Sequence, residues 1–292
     1  MSGRTPVALT IAGSDSGGGA GVQADLKAFA RCGVHGTCAI TAITAQNTLG
    51  VEAIEPVPAE MVRAQVRAVV RDIGVDAVKV GMLGTARVAR VVARALDELP
   101  AGIPVVVDPV MVAESGARLL EADAQDALIA EIVPRASVLT PNVPEARVLV
   151  GLAGEEQEEE EEGEPEEGES REELEELEEL ARAVLALGPA AVVLTGGHRA
   201  RAVDLFVARA VEGTSAAIVE IAGARHPDGA AHGSGCTHSS VLAAQLALGG
   251  TPLQAARRAR ALAGEAVASG LRDVGAGAGP VDVLGLERMR AG

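Results

Sequence analysis

Val7-Ala-Leu-Thr-Ile-Ala-Gly-Ser-Asp-Ser-Gly-Gly-Gly-Ala-Gly21 is the stretch that decides the fold. Residues 7–13 are a short β-rich run, residues 14–21 a glycine loop, and residues 22–31 a helical pattern closed by Gly33. A strand, a glycine loop and a helix in that order present backbone N–H groups to a ligand at the carboxyl end of a strand, as α/β proteins do. No Gly-Lys-Ser/Thr follows, so the loop is not a Walker A motif, and its glycine spacing is not a dinucleotide fingerprint. Asp25, in the first helical turns, is placed to hydrogen-bond a ligand held at the loop. Its plainer reading is an acid favoured by the helix dipole.

The same alternation continues outward. Residues 37–46 and 51–57 read as strands, 59–72 as a helix, 76–83 as a strand and 86–99 as a helix. Residues 103–107 form a strand that ends at Asp108, 122–132 a helix, and 137–140 a strand that ends at Asn142. Beyond an acidic stretch, 190–194 is a strand, 202–208 and 216–221 a strand pair, and 253–269 a last helix capped by Thr251-Pro252 with Gln254. Alternating strands and helices predict a parallel sheet covered on both faces, an α/β fold. In such sheets ligands gather beyond the carboxyl ends of the strands, where Gln46, Asp108, Asn142 and the loop after Gly13 all fall. Asn142 with Glu145 three residues on also reads as a capping box, and Asp108 before Pro109 as a strand end. Together the carboxylates of Asp108 and Glu145 suit Mg²⁺, a hard ion that takes oxygen ligands and keeps several waters.

A second glycine loop lies near the other end, in Ala231-His-Gly-Ser-Gly-Cys-Thr-His-Ser-Ser240, and runs straight into a helical pattern. The first N–H groups of a helix lack intrahelical acceptors and sit at the positive end of its dipole, so Gly233, Ser234 and Gly235 let an anion approach closely. Cys236 stands beside that anion site, where the field favours thiolate over thiol and makes it a candidate base or nucleophile. The alternative is a tight turn with a small buried cysteine. His198 and His232 read as loop or nucleotide-edge contacts rather than as catalytic bases.

Composition sets the limits. The chain has 292 residues, 48% of them apolar, with neither Trp nor Tyr and only two Phe, so its core must be Val, Leu, Ile and Ala. That is the composition of a buried parallel sheet. No apolar run reaches 18 residues and no signal-peptide core precedes the first strand, which leads us to expect a soluble, cytoplasmic protein away from membranes. Cys32, Cys38 and Cys236 are odd in number and lack metal-ligand spacing, against both a disulfide framework and a zinc site. Of the net charge of −16, residues 155–179 carry all: 17 Glu and one Arg. Elsewhere acids and bases balance, and no basic groove for nucleic acid emerges. Within that stretch, residues 155–169 read as a solvated low-complexity insertion rather than a partner-binding arm. Ser170 caps a helix running to about Gly188.

Six motifs in order carry a family resemblance: residues 12–27, 44–48 (Thr-Ala-Gln-Asn-Thr), 79–83 (Lys-Val-Gly-Met-Leu), 108–111 (Asp-Pro-Val-Met), 139–146 (Leu-Thr-Pro-Asn-Val-Pro-Glu-Ala) and 232–236 (His-Gly-Ser-Gly-Cys). The chain resembles the hydroxymethylpyrimidine (phosphate) kinases of thiamine biosynthesis, ribokinase-like proteins related to pyridoxal kinases. The resemblance implies one ribokinase-like domain over residues 1–292, a three-layer α/β/α fold with a central, mostly parallel sheet and the acidic insertion at about 154–170. It also implies ATP- and Mg²⁺-dependent phosphorylation of 4-amino-5-hydroxymethyl-2-methylpyrimidine and then of its monophosphate, by a homodimer.

On that resemblance Gly13, Asp25, Gln46, Met82 and Val110 surround the pyrimidine, and Gly233, Ser234, Gly235 and Cys236 form the anion hole. Asp108 and Glu145 organise Mg²⁺, while Asn142, Thr195, Gly197 and His198 line the nucleotide. Many relatives carry Lys where this chain has Thr195. Two other readings stay open: a pyridoxine or pyridoxal kinase, and a non-catalytic binding protein for a vitamin precursor or nucleotide.

Overall fold

The computed structural model of the chain describes residues 3–112, 116, 119–152, 171–196, 202–209, 217–226, 229–286 and 289. The opening run forms β1, Val7–Ala12, buried along its whole length. Val7, Leu9 and Ile11 face one apolar cluster and Ala8 the other. A strand covered on both faces must be apolar on both, which is why this run does not alternate with polar residues.

β2, His35–Ile40, lies parallel to β1. The sequence reading of residues 37–46 as one strand is corrected here, because the chain turns at Thr41. That residue is fully buried; its N–H donates to Ala12 O (3.0 Å) and its hydroxyl to Met82 O (2.7 Å). β3, Ala42–Gln46, therefore leaves the main sheet and pairs antiparallel with β4, Val51–Pro56, as a separate two-stranded sheet.

The main sheet continues through β5 (Ala77–Val80), β6 (Val105–Val107), β7 (Val138–Leu139) and β8 (Ala191–Leu194), all parallel. β9 (Val203–Ala208) and β10 (Ile218–Ala222) close one edge antiparallel, giving the order β10-β9-β8-β7-β6-β5-β1-β2. α1 (Gly21–Arg31), α7 (Ser234–Ala247) and α8 (Pro252–Ala268) pack on one face, with Phe29 and Phe206 in their cluster. α2 (Ala59–Asp72), α3 (Ala86–Asp97), α4 (Ala122–Ala127), α5 (Val143–Leu149) and α6 (Arg171–Ala186) cover the other. The result is the three-layer α/β/α architecture with a mostly parallel sheet.

Capping boxes start α5 at Asn142 with Glu145 and α8 at Thr251 with Gln254, as the sequence predicts. The helix expected over 122–132 keeps α geometry only to Ala127. It then widens into a π turn over Leu128–Ile132 and tightens into a 3₁₀ turn at Val133–Arg135, where Pro134 has no N–H to continue the ladder. The Ser170 cap and the insertion at 154–170 lie outside the described residues. No helix among the described residues is long and apolar enough to cross a membrane.

Candidate active site

The parallel strands deliver their polar ends to one edge of the sheet. Gly13 follows β1, Met82 follows β5, Asp108 follows β6, and Asn142 and Thr195 follow β7 and β8, where the last two form an isolated bridge. Thr195 N–H donates to Pro141 O at 2.9 Å. Gly13 lies against Met82: a Cβ added at Gly13 would come 3.0 Å from the Met82 sulfur, so a side chain there would push the Met82 thioether aside. Val110 follows Asp108 by two residues and is half-buried. Gln46 is attached from the accessory sheet, its N–H donating to Ser16 Oγ (2.8 Å) and its carbonyl accepting from Ser16 (2.6 Å). Gln46 Oε1 accepts from Thr44 Oγ1 at 3.2 Å.

The two glycine loops, more than 200 residues apart in sequence, are clasped together. The Asp15 carboxylate accepts from the N–H groups of Gly17 (2.8 Å), Gly19 (3.0 Å) and Ala20 (2.8 Å), and its Oδ2 lies 3.0 Å from His232 Nε2. Against the cost of burial, those bonds hold the Asp15 carboxyl below its ordinary pKa, so it stays charged. Gly233 has φ +85°, and a Cβ there would overlap the Gly19 carbonyl oxygen. Helices α1 and α7 both begin at these loops with no side-chain cap, and the space beside Gly235 is open. At the start of α1 the N–H groups of Ala20 and Val22 are taken by Asp15 and Gly13 O, and at α7 that of Ser234 by Ala231 O, so the anion cradle is the positive end of α7 around Gly235 and Cys236, beside the open space.

Beneath the cradle lies a buried polar network. Lys79, fully buried in β5, puts its ammonium 3.0 Å from Asp25 Oδ1 and 3.7 Å from Asp108 Oδ2. Asp25 also accepts from Thr10 (2.6 Å) and Ser240 (2.7 Å), and Asp108 from Ser239 (2.8 Å). Burial pulls the Lys79 pKa down, but the charges of Asp25 and Asp108 outweigh it and keep the ammonium protonated.

Two expectations are corrected by this network. Asp25 does not face a ligand at the loop; it is 0% exposed and spends its oxygens on Lys79, Thr10 and Ser240, so it braces the pocket from behind. Cys236 is not poised as a thiolate. Burial, with the negative charges of Asp108 and Asp25, pushes its thiol up to about 12, and neither Lys79 nor the Gly21 N–H restores the balance. The helix N-terminus is outweighed first by burial, which disfavours the charged thiolate, and then by the Asp108 and Asp25 charges that Lys79 only partly offsets.

Asp108 and Glu145 interact. Burial and the Asp108 charge raise Glu145 to about 8, against N–H bonds from Asn142 and Met111. Burial likewise raises Asp108, against the pull of Lys79 and Ser239. Two hard oxygen donors that repel one another when both are charged fit a divalent cation that completes its shell with waters and phosphate oxygens. Among the described residues no cluster of three or more His, Cys, Asp or Glu side chains could hold a metal. Because Glu145 keeps its proton when folded but loses it near 4.5 when unfolded, it favours the folded state fully below pH 4.5, and that contribution is lost as pH rises to about 8. Glu145→Gln is expected to flatten the fall in stability across that window; urea midpoints at pH 5 and pH 8 that change as much as those of the unsubstituted chain would contradict this.

The sequence reading missed Lys79 and Asp15. A lone cation in the apolar strand Ala77–Val80 is a signal, since charge is buried in a parallel sheet only when paired. Gly197 and His198 lie outside the described residues, and His232 serves as the clasp to Asp15.

A crevice at the strand ends of a three-layer α/β/α sheet, floored by glycine-loop helix N-termini, defines a ribokinase-like small-molecule kinase. The chain belongs to the phosphomethylpyrimidine kinase family, whose model, described as "Phosphomethylpyrimidine kinase", matches residues 15–282. It is 43% identical over 282 residues to the hydroxymethylpyrimidine/phosphomethylpyrimidine kinase of Rhizobium meliloti, covering 95% of this chain and 96% of that protein. The phosphomethylpyrimidine kinase structure from Clostridium difficile is 34% identical, with TM-score 0.69 over 88% of this chain and 96% of that one. The Staphylococcus aureus pyridoxal kinase, solved with AMP-PCP and pyridoxal, is 30% identical with TM-score 0.79, covering 98% of this chain and 96% of that one.

Proposed function

We propose that this chain is the ATP-dependent kinase that phosphorylates 4-amino-5-hydroxymethyl-2-methylpyrimidine and then its monophosphate to the diphosphate. The observation that carries the proposal is the clasp of Asp15 and His232, which sets the N-terminus of α7 against the glycine loop whose Gly13 lies beside Met82 and whose Ser16 bonds Gln46. Phosphoryl transfer demands mainly positioning and stabilisation of charge on the phosphoryl oxygens. The N–H groups of Gly233, Gly235 and Cys236 supply donors for the transferring group, while that of Ser234 is taken by Ala231 O (2.8 Å) and holds the turn. Asn142 and Thr195 line the nucleotide, and Gly13, Gln46, Met82 and Val110 the pyrimidine, with Gln46 hydrogen-bonding its polar edge. Asp108 and Glu145 would hold Mg²⁺, which, when bound, offsets the charge of the nucleotide phosphates.

Cys236 remains the candidate acceptor of the hydroxymethyl proton, although its thiol is neutral at pH 7. If the thiolate is the active form, kcat rises through pH 9, and Cys236→Ala abolishes that rise and lowers kcat at least tenfold. Turnover of Cys236→Ala within a few-fold of the unsubstituted chain would remove the residue from this role. Gln46→Ala is expected to raise the pyrimidine KM about tenfold, the order of one lost hydrogen bond to a buried ring, with the KM for ATP kept; an unchanged pyrimidine KM would count against the pocket.

A second reading is supported by the likeness to pyridoxal kinase: pyridoxine or pyridoxal, another hydroxymethyl-bearing ring, as the substrate. Parallel assays with the pyrimidine and with pyridoxal decide between them, and a binding protein without catalysis would release no ADP with either.

A further inference from the structure

The geometry points to Asp204 as a positioning residue that fixes Thr195 and Gly196, just past β8, against the helix carrying the anion loop. This rests on the proposed nucleotide role of Thr195. Asp204 is the second residue of β9 and is 1% exposed. Its Oδ1 accepts from Gly196 N–H at 3.1 Å, immediately after Thr195. Gly196 itself lies on β9, where a Cβ would overlap the Val203 carbonyl oxygen. The other carboxylate oxygen, Oδ2, stands 3.3 Å from His238 Nε2. His238 is on α7, one turn beyond the residues Gly233–Cys236. Arg260 of α8 brings its Nη1 within 3.7 Å of Oδ1.

One buried carboxylate thus reaches Gly196, α7 and α8. Among the described residues neither ring nitrogen of the buried His238 makes a hydrogen bond of good geometry, and its Nε2 is held against Asp204 by charge. The pyrimidine side of the crevice is held by other bonds, Ser16 to Gln46 and Thr41 to Met82. Displacing Asp204 therefore moves Thr195–Gly196 and the anion helix relative to each other while leaving the pyrimidine wall in place. A purely structural acid would instead lower stability and leave both substrates equally affected.

The test uses the full-length chain and its Asp204→Ala, Asp204→Asn and His238→Leu variants. ADP affinity is measured by calorimetry, KM for ATP and for the pyrimidine by ADP release, and folding by circular dichroism. Asp204→Ala is expected to weaken ADP binding at least tenfold and to raise the ATP KM in proportion, with the pyrimidine KM within twofold. Asp204→Asn keeps an oxygen for the Gly196 N–H and is expected to recover ADP affinity to within threefold. ADP binding by Asp204→Ala within twofold of the unsubstituted chain, or the two KM values rising together, would overturn the inference. Should Asp204→Ala not fold, His238→Leu decides: an ATP KM at least threefold higher with the pyrimidine KM unchanged supports it, and an unchanged ATP KM overturns it. An unsubstituted chain that binds no ADP would refute the nucleotide reading itself, a result distinct from variants that bind as well as their parent.

Discussion

Lys79→Ala is expected to lower folding stability by roughly 3–5 kcal/mol, the range for removing one partner of a buried ion pair. Lys79 is the largest polar side chain among the fully buried ones, and its ammonium faces Asp25 at 3.0 Å and Asp108 at 3.7 Å. Without it the carboxylates of Asp25 and Asp108 share the space between α1, β5, β6 and α7 without the ammonium that lies between them. Thr10, Ser239 and Ser240 still donate to them, but hydroxyl bonds do not offset net charge. The variant should keep a proton on one of these acids and lose stability as pH rises, because each buried carboxylate that must ionise unfavours the fold. Replacing the pair together, as Lys79→Met with Asp25→Leu, is expected to cost less than Lys79→Ala, since it leaves Asp108 alone and hydrogen-bonded to Ser239. Urea unfolding followed by circular dichroism measures both; a loss below about 1 kcal/mol for Lys79→Ala would show that water or rearrangement reaches the site.

Gly233→Ala is expected to lower kcat/KM at least a hundredfold while leaving the secondary structure intact. Two independent constraints act on that residue. Its φ of +85° disfavours any Cβ by about 1 kcal/mol or more, and the Cβ would also overlap the Gly19 carbonyl oxygen. Relief requires the two glycine loops to separate, which breaks the register between His232 and Asp15 and swings the first N–H groups of α7 away from the cradle. A misplacement of 1 Å in a site built for positioning is enough to cost two orders of magnitude. Gly264→Ala, inside α8, is the control, because nothing lies within 4 Å of its added Cβ and its backbone needs no positive φ. Steady-state kinetics on both variants, with far-ultraviolet circular dichroism for the fold, checks the expectation. Gly233→Ala with kcat/KM within tenfold of the unsubstituted chain would contradict the cradle.

Much of this architecture is legible in local patterns. Ala59–Asp72 and the capping boxes at Asn142 and Thr251 are fixed by residues within a few positions of one another, and they form as the sequence predicts. The apolar runs that make β1 and β8 need no distant information either, because only a strand covered on both faces tolerates them. What local pattern cannot carry is long-range pairing. Thr41 looks like the middle of a strand until Met82 O, 41 residues away, takes its hydroxyl. Asp25 reads as a ligand contact until Lys79 arrives from β5, and the charge state of Cys236 depends on Asp108 and Asp25, neither of them its neighbour in sequence. The strand-end positions of Gly13, Asp108, Asn142 and Thr195 were legible because topology alone puts them at one edge. Their partners, Asp15 with His232 and Asp204 with His238, are joined only by the closed fold.

The most direct measurement is mass spectrometry of the products formed when the purified chain is incubated with Mg-ATP and, in separate reactions, hydroxymethylpyrimidine, pyridoxine and hydroxyethylthiazole. The account predicts both mono- and diphosphorylated pyrimidine, the second appearing after the first. Phosphorylated pyridoxine with no pyrimidine product, or no phosphorylated product from any of the three, would contradict it.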